Sequence, residues 1–132
     1  MVRLNIAFLR RGVAVGTQHL LSVPGRKSGV PRETPVSVVS VAGTRYIVAA
    51  FADAQWVRNV QAARAGKLSR GKQIESVALV EIPATDREPV LRAFFAQVRG
   101  GRRYFGTQKP DDVIAHASLY PVFRVESTGG HP

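Results

Sequence analysis

Between Pro24 and Pro35 the chain reads Pro-Gly-Arg-Lys-Ser-Gly-Val-Pro-Arg-Glu-Thr-Pro, with three cations, two glycines and three prolines between two apolar, β-prone runs. Proline stiffens such a loop and glycine opens it. Arg26, Lys27, Ser28 and Arg32 then offer charge and hydrogen bonds to an anion, while Gly25 and Gly29 let backbone N–H groups come close to it. A phosphate-binding P-loop needs Gly-Lys-Ser or Gly-Lys-Thr leading into a helix. Here Arg26 precedes Lys27 and Pro31 follows, so this is not a Walker site. The alternative to a ligand cradle is a solvated basic hairpin tip.

Other chemistry is scarce. The chain has no cysteine, which excludes disulfides, thiolate metal sites and cysteine nucleophiles. His19, His116 and His131 are scattered, so a metal site is not expected. No triad or carboxylate pair stands out. The formal charge of +10, from 19 Lys and Arg against 9 Asp and Glu, points to an anionic partner: nucleic acid, a membrane surface or a small polyanion. Nucleic acid is the least favoured of these. Single-strand binders mount aromatics on a sheet among basic residues, whereas Trp56, Phe94 and Phe95 fall at core spacing on helices.

The elements that must position the loop follow from period and punctuation. A chain of 132 residues with 45% hydrophobic content is one domain's worth, spanning 1–127, with 128–132 as a frayed tail. Strands are predicted over 17–23, 35–41, 45–51, 67–70, 73–82 and 121–125, with a turn at Ala42-Gly43-Thr44. Val38 and Val39 interrupt the alternation of the second strand, as at a bulge or where both faces are covered. A helix over 55–65 places Trp56, Asn59, Val60 and Ala63 on one face, with Asp53 as N-cap and Gly66 as the stop. A second helix follows a capping box at Thr85–Glu88 with Asp86 as the cap, carries Val90, Leu91, Phe94, Phe95 and Val98, and ends at Gly100-Gly101. Arg102–Gly106 reads as a basic, aromatic loop, and one or two helical turns lie within 111–117. Residues 1–16 mix apolar side chains with Arg3, Arg10 and Arg11; they suit a short amphipathic helix docked on the domain, or a basic helix touching a membrane surface. No run reaches the length of a membrane span or the pattern of a signal peptide, so the expected compartment is cytoplasmic. Six short strands with few helices give a mainly β (α+β) protein, an antiparallel barrel of about six strands with flanking helices.

The run Gly25-Arg26-Lys27-Ser28-Gly29-Val30-Pro31-Arg32 with Thr34-Pro35, then Ala49-Ala50, Trp56 and Asn59, resembles the deazaflavin-dependent nitroreductase family, the split β-barrel oxidoreductases that use coenzyme F-420. The likeness covers residues 20–65 well and the remainder in element order. It implies that Arg26, Lys27, Ser28, Gly29, Arg32 and Pro35 form the loop holding the cofactor's phosphate and acidic tail. It likewise implies that Ala49, Ala50 and Phe51 meet the deazaflavin ring, with Trp56 and Asn59 beside it. Two departures stand out: only Phe51–Gln55 fills a segment that is longer in the nitroimidazole-reducing members, and Tyr104 alone, beside Phe105, occupies a region where those members carry several tyrosines. Tyr104 is the candidate substrate-binding residue.

The function implied is hydride transfer between reduced F-420 and a small organic acceptor such as a quinone, enone or nitro compound, with no side chain required as nucleophile. FMN in the same fold, a non-catalytic F-420 carrier and a small basic nucleic-acid-binding barrel are the alternatives. Either a monomer or a homodimer is compatible with this pattern.

Overall fold

Valine and isoleucine dominate the short apolar runs, and in the computed structural model, which describes residues 18–106 and 108–128, these runs are strands. β1 (Gln18–Pro24), β2 (Pro31–Val41) and β3 (Thr44–Val48) come first, followed by helix α1 (Gln55–Ala63), β4 (Ala65–Arg70) and β5 (Gln73–Glu81). A 3-10 turn (Ala84–Asp86) leads to helices α2 (Glu88–Gln97), α3 (Gly101–Tyr104) and α4 (Pro110–Ala115). A second 3-10 turn (Ala117–Leu119) then precedes β6 (Val122–Ser127). The strands close into a barrel in the order β1-β2-β3-β6-β5-β4, every neighbour antiparallel. The expected six-stranded antiparallel barrel is therefore the fold. The proposed N-terminal helix and its membrane contact, His131 and most of the tail lie outside the described residues.

The barrel interior is built by period two: Leu21 and Val23, Val36 and Val38, Val77 and Leu79, Phe123 and Val125 point inward together. Val57 and Val60 of α1 join the same cluster, so this helix closes one end of the barrel. A second core lies outside the barrel wall, where α2 covers β2 and β3 and where Val39, Val48, Leu91, Phe94, Val113 and Val122 meet. Val38 belongs to the inner core and Val39 to the outer one, and their pairing with Ile47 and Tyr46 runs on without a bulge. Both faces are covered.

Several boundaries depart from the sequence expectation. β2 starts at Pro31, because residues 31–37 pair with β1 alone and can carry polar side chains along a half-open edge. β3 ends at Val48, so Ala49–Phe51 lies beyond the ladder, tied back by the Ala49 N–H to the Pro121 carbonyl at 2.9 Å. Asp53 is not the cap of α1; Ala54 holds that position and no side chain bonds there. Nor does Gly66 stop α1, which ends on Arg64 in the left-handed region (φ 59). Gly66 instead lies in β4, where an added Cβ would come within 2.6 Å of the Ser22 carbonyl oxygen. The capping box is absent: Thr85 and Asp86 sit in the 3-10 turn and Arg87 precedes α2 without a side-chain cap. α2 ends at Gln97 rather than at the glycine pair, and the expected loop at Arg102 begins as the helical turn α3. β6 runs on to Ser127, and Thr128 is held rather than frayed, its N–H and hydroxyl both on the Ser76 carbonyl.

Candidate functional site

The basic loop is a tight turn. Gly25 N–H donates to the Val30 carbonyl and Gly29 N–H to the Gly25 carbonyl, both at 2.8 Å, while Val30 N–H donates to Ser28 Oγ at 3.1 Å. Gly29 adopts φ +77, the left-handed conformation that glycine accepts without strain. A Cβ on Gly25 would press on the Val30 carbonyl and Ser28 Oγ at 3.2 and 3.3 Å. Because Ser28 Oγ only accepts within the loop, its own proton remains available to a ligand.

Helix α1 fixes this loop. Asn59 is buried, and its Oδ1 accepts the Arg26 backbone N–H at 3.1 Å and Arg26 Nη1 at 2.9 Å. A polar side chain on an apolar helix face needs such a partner. Between loop and helix opens a groove of about 310 Å³, lined by Arg26, Lys27, Ser28 and Arg32 on one side and by Trp56 and Asn59 on the other. Lys27 and Arg32 are exposed and make no ion pair with any described residue. Trp56 serves two environments: its ring lies 6.2 Å from that of Phe123 in the barrel and also walls the groove. Thr34 and Gln55 also line it and were not foreseen. Thr34 shares a strand face with Arg32 once β2 is extended, and Gln55 stands one helical turn before Asn59, so spacing alone could have found both.

The remaining expected residues separate. Ala49 and Ala50 are buried, one in each core, whereas Phe51 is 65% exposed. Phe51 lines a different cavity of about 350 Å³ with Ala50, Phe105, Leu119 and Tyr120. Pro35 and Tyr104 line a third groove on the outer side of β2. The Tyr104 hydroxyl donates to the Val48 carbonyl at 3.0 Å, and its ring packs 5.3 Å from both Phe94 and Phe105. Burial of the hydroxyl end holds this phenol above its ordinary pKa, with a backbone hydrogen bond at Ala50 opposing.

Arg87 also escaped the sequence reading. It is buried, and its guanidinium donates to the Ile82, Ala117 and Tyr120 carbonyls and to Glu81 at 3.1–3.2 Å. It thereby holds the turn that carries Leu119 and Tyr120.

Comparison with known proteins follows from this geometry. The family model described as F420H(2)-dependent quinone reductase matches residues 2–111. No curated protein matches the chain. Among solved structures, an F420-H2 dependent reductase (FDR-A) shares 23% identity over 83% of this chain and 94% of its own, with a TM-score of 0.62. A protein described as a domain-swapped dimer shares 24% over 83% and 80%, with a TM-score of 0.61. The heme storage protein HutZ from Vibrio cholerae shares 13% over 86% and 83%, with a TM-score of 0.59. These likenesses show a common barrel fold. The family match covers most of the chain and decides between the two flavin-like cofactors left open above: the chain belongs to the F420H(2)-dependent quinone reductase family, oxidoreductases whose cofactor is coenzyme F-420.

Proposed function

We propose that this protein reduces a quinone with reduced F-420 bound between the basic loop and α1. Arg26, Lys27, Ser28 and Arg32 would hold the phosphate and acidic tail there, with Gly29 shaping the turn and Pro35 stiffening the strand behind Arg32. The donor set fits that group, since it combines three cations with a free hydroxyl proton in a groove that has no carboxylate among its lining residues. Asn59 and Trp56 form the opposite wall, and the backbone of the strand end at Ala49, Ala50 and Phe51 would meet the ring. Bound there, the cofactor supplies the hydride; the chain binds, orients and excludes water.

The cavity beside Phe51 suits the acceptor. Its walls are mostly apolar and aromatic and its one charged lining residue is Asp53, so it favours a neutral planar molecule over a polyanion. Quinones fit this description and agree with the family; enones and nitro compounds fit it less specifically. Tyr104 enters this reading through its ring, as support for the strand end at Val48, since its hydroxyl is committed to the backbone.

The observation that carries the proposal is the Asn59-pinned basic loop facing Trp56 across one groove. Fluorescence titration of F-420, followed by stopped-flow reduction of menadione, tests it. Saturable micromolar binding with turnover is expected. Binding without turnover would make the protein a carrier, and no saturable binding would overturn the proposal.

A further inference from the structure

Glu81, at the end of β5, stands between two elements that serve different cavities. Its Oε1 accepts a hydrogen bond from Gln61 Nε2 of α1 at 3.1 Å, and its Oε2 accepts one from Arg87 Nη2 at 3.2 Å. Each carboxylate oxygen is thus engaged by a different neighbour. Arg64 lines the same surface hollow as Gln61 and Glu81 but makes no ion pair with any described residue. The acid is joined to α1 by the neutral amide instead.

On the α1 side, Asn59 and Gln61 are two residues apart, which is about 200° around a helix. Asn59 holds the basic loop through Arg26, and Gln61 holds Glu81 on the opposite face. On the other side, the Arg87 guanidinium donates to the Ala117 and Tyr120 carbonyls at 3.1 and 3.2 Å, across the turn that carries Leu119. Leu119 and Tyr120 wall the cavity beside Phe51. Hydrogen bonds and one helix therefore run without a break from the Arg26 loop to that cavity. Exposure separates the firm joint from the loose one. The Arg87 side chain is 8% exposed, whereas that of Glu81 is 36% exposed and Gln61 lies at the surface. The bond to α1 is the one that can open while the turn stays folded. A ligand that fixes α1 through the loop lowers the cost of keeping this bond made, and by linkage a ligand that orders the turn does the same for the loop.

We propose that Glu81 is a positioning residue that couples the basic groove to the cavity beside Phe51, so that F-420 and the acceptor each bind more tightly when the other is present. The inference rests on the placement of cofactor and acceptor proposed above. Glu81 touches neither ligand; it acts through Gln61 on one side and Arg87 on the other.

Isothermal titration of the full chain with oxidised F-420, alone and with saturating menadione, tests it, since two oxidised partners exchange no hydride. Menadione should tighten F-420 binding by about three- to fivefold, a ratio within the worth of one hydrogen bond to a carboxylate. Gln61→Leu should bring that ratio to about one and change the affinity for F-420 alone by less than about twofold. Its melting temperature should stay as it is, because Gln61 is exposed. Gln61→Arg, which again donates to Glu81, should restore the ratio. Hydrogen exchange gives a readout that needs no acceptor. F-420 alone should slow exchange of the Leu119 and Tyr120 amides, which donate to the His116 and Ala117 carbonyls, in the wild-type chain and in Gln61→Arg but not in Gln61→Leu. F-420 binding without linkage to menadione, or linkage and protection that survive Gln61→Leu, would overturn the inference alone. Absence of F-420 binding would overturn the reading of the groove and the inference with it.

Discussion

Asn59 Oδ1 accepts two hydrogen bonds from a single residue, Arg26, one from its backbone N–H and one from its guanidinium. The loop is therefore fastened to α1 by one buried oxygen. Asn59→Ala should leave both donors without that acceptor and cost about 1–3 kcal/mol of stability. F-420 affinity should fall by roughly tenfold as the loop loosens. Paired urea unfolding and cofactor titration check both numbers; an affinity unchanged despite the stability loss would detach Asn59 from the site.

Lys27 gives the converse case. It is exposed and unpaired among the described residues, so Lys27→Ala should leave the melting temperature unchanged while weakening F-420 binding by about five- to tenfold. Raising the salt concentration should shrink the difference between the two proteins, because an exposed charge is screened. Parallel loss of stability and affinity would mark the loop as structural.

Phe51 tests the proposed acceptor cavity. Phe51→Ala opens the apolar cavity next to Leu119 and Tyr120. The expected outcome is a KM for menadione raised by roughly three- to tenfold with kcat changed less, since apolar contact of this kind adds uniform binding. Steady-state kinetics at saturating F-420 supply the measurement.

Tyr104 carries a pH signature. Its folded pKa lies above the ordinary value of 10.0, so the folded state retains the phenol proton longer than the unfolded chain. The stability this provides is fully present below pH 10.0 and is lost as pH rises through the folded pKa. Tyr104→Phe should cost about 0.5–1.5 kcal/mol near neutrality through the lost bond to Val48. The variant should also fall less steeply above pH 10.0, a difference that thermal melts across an alkaline series would resolve.

Arg87 predicts a fold defect rather than a functional one. Arg87→Met takes the guanidinium donor from the Ile82 and Tyr120 carbonyls, leaves the Ala117 carbonyl to the Tyr120 N–H, and removes the ion-pair partner of Glu81. A loss of about 3–5 kcal/mol in chemical denaturation is expected.

What could be read from the sequence was whatever depended on local pattern. The barrel followed from short β-branched runs, and the single face holding Trp56, Asn59 and Val60 followed from helical spacing. Asn59 could be singled out because a polar group on an apolar face needs a partner, although the partner's identity required the fold. The basic loop was located correctly but drawn too long, since Pro31 and Glu33 look like punctuation while in fact pairing with Pro24 and Ser22. Helix ends were misjudged where packing replaced side-chain caps, at Ala54 and Arg87. Gly66 looked like a helix stop because only the pairing of β1 with β4 reveals the Ser22 carbonyl against it. Arg87 was invisible for the same reason, its acceptors at Ala117 and Tyr120 being some thirty residues distant.

Val38 and Val39 are buried in succession, one in each core, so at this point β2 does not mark a single buried face by simple alternation. A one-residue shift would carry Ser37 or Ser40 into a position that valine now fills in one of the two cores. The turn to β3 fixes the same register independently. There Ala42 and Gly43 both adopt left-handed backbone, at φ 50 and φ 83, the pattern of the tight two-residue turn whose twist matches its strands. Two small residues on the surface thus act with the buried valines to align the strand whose far end carries Arg32.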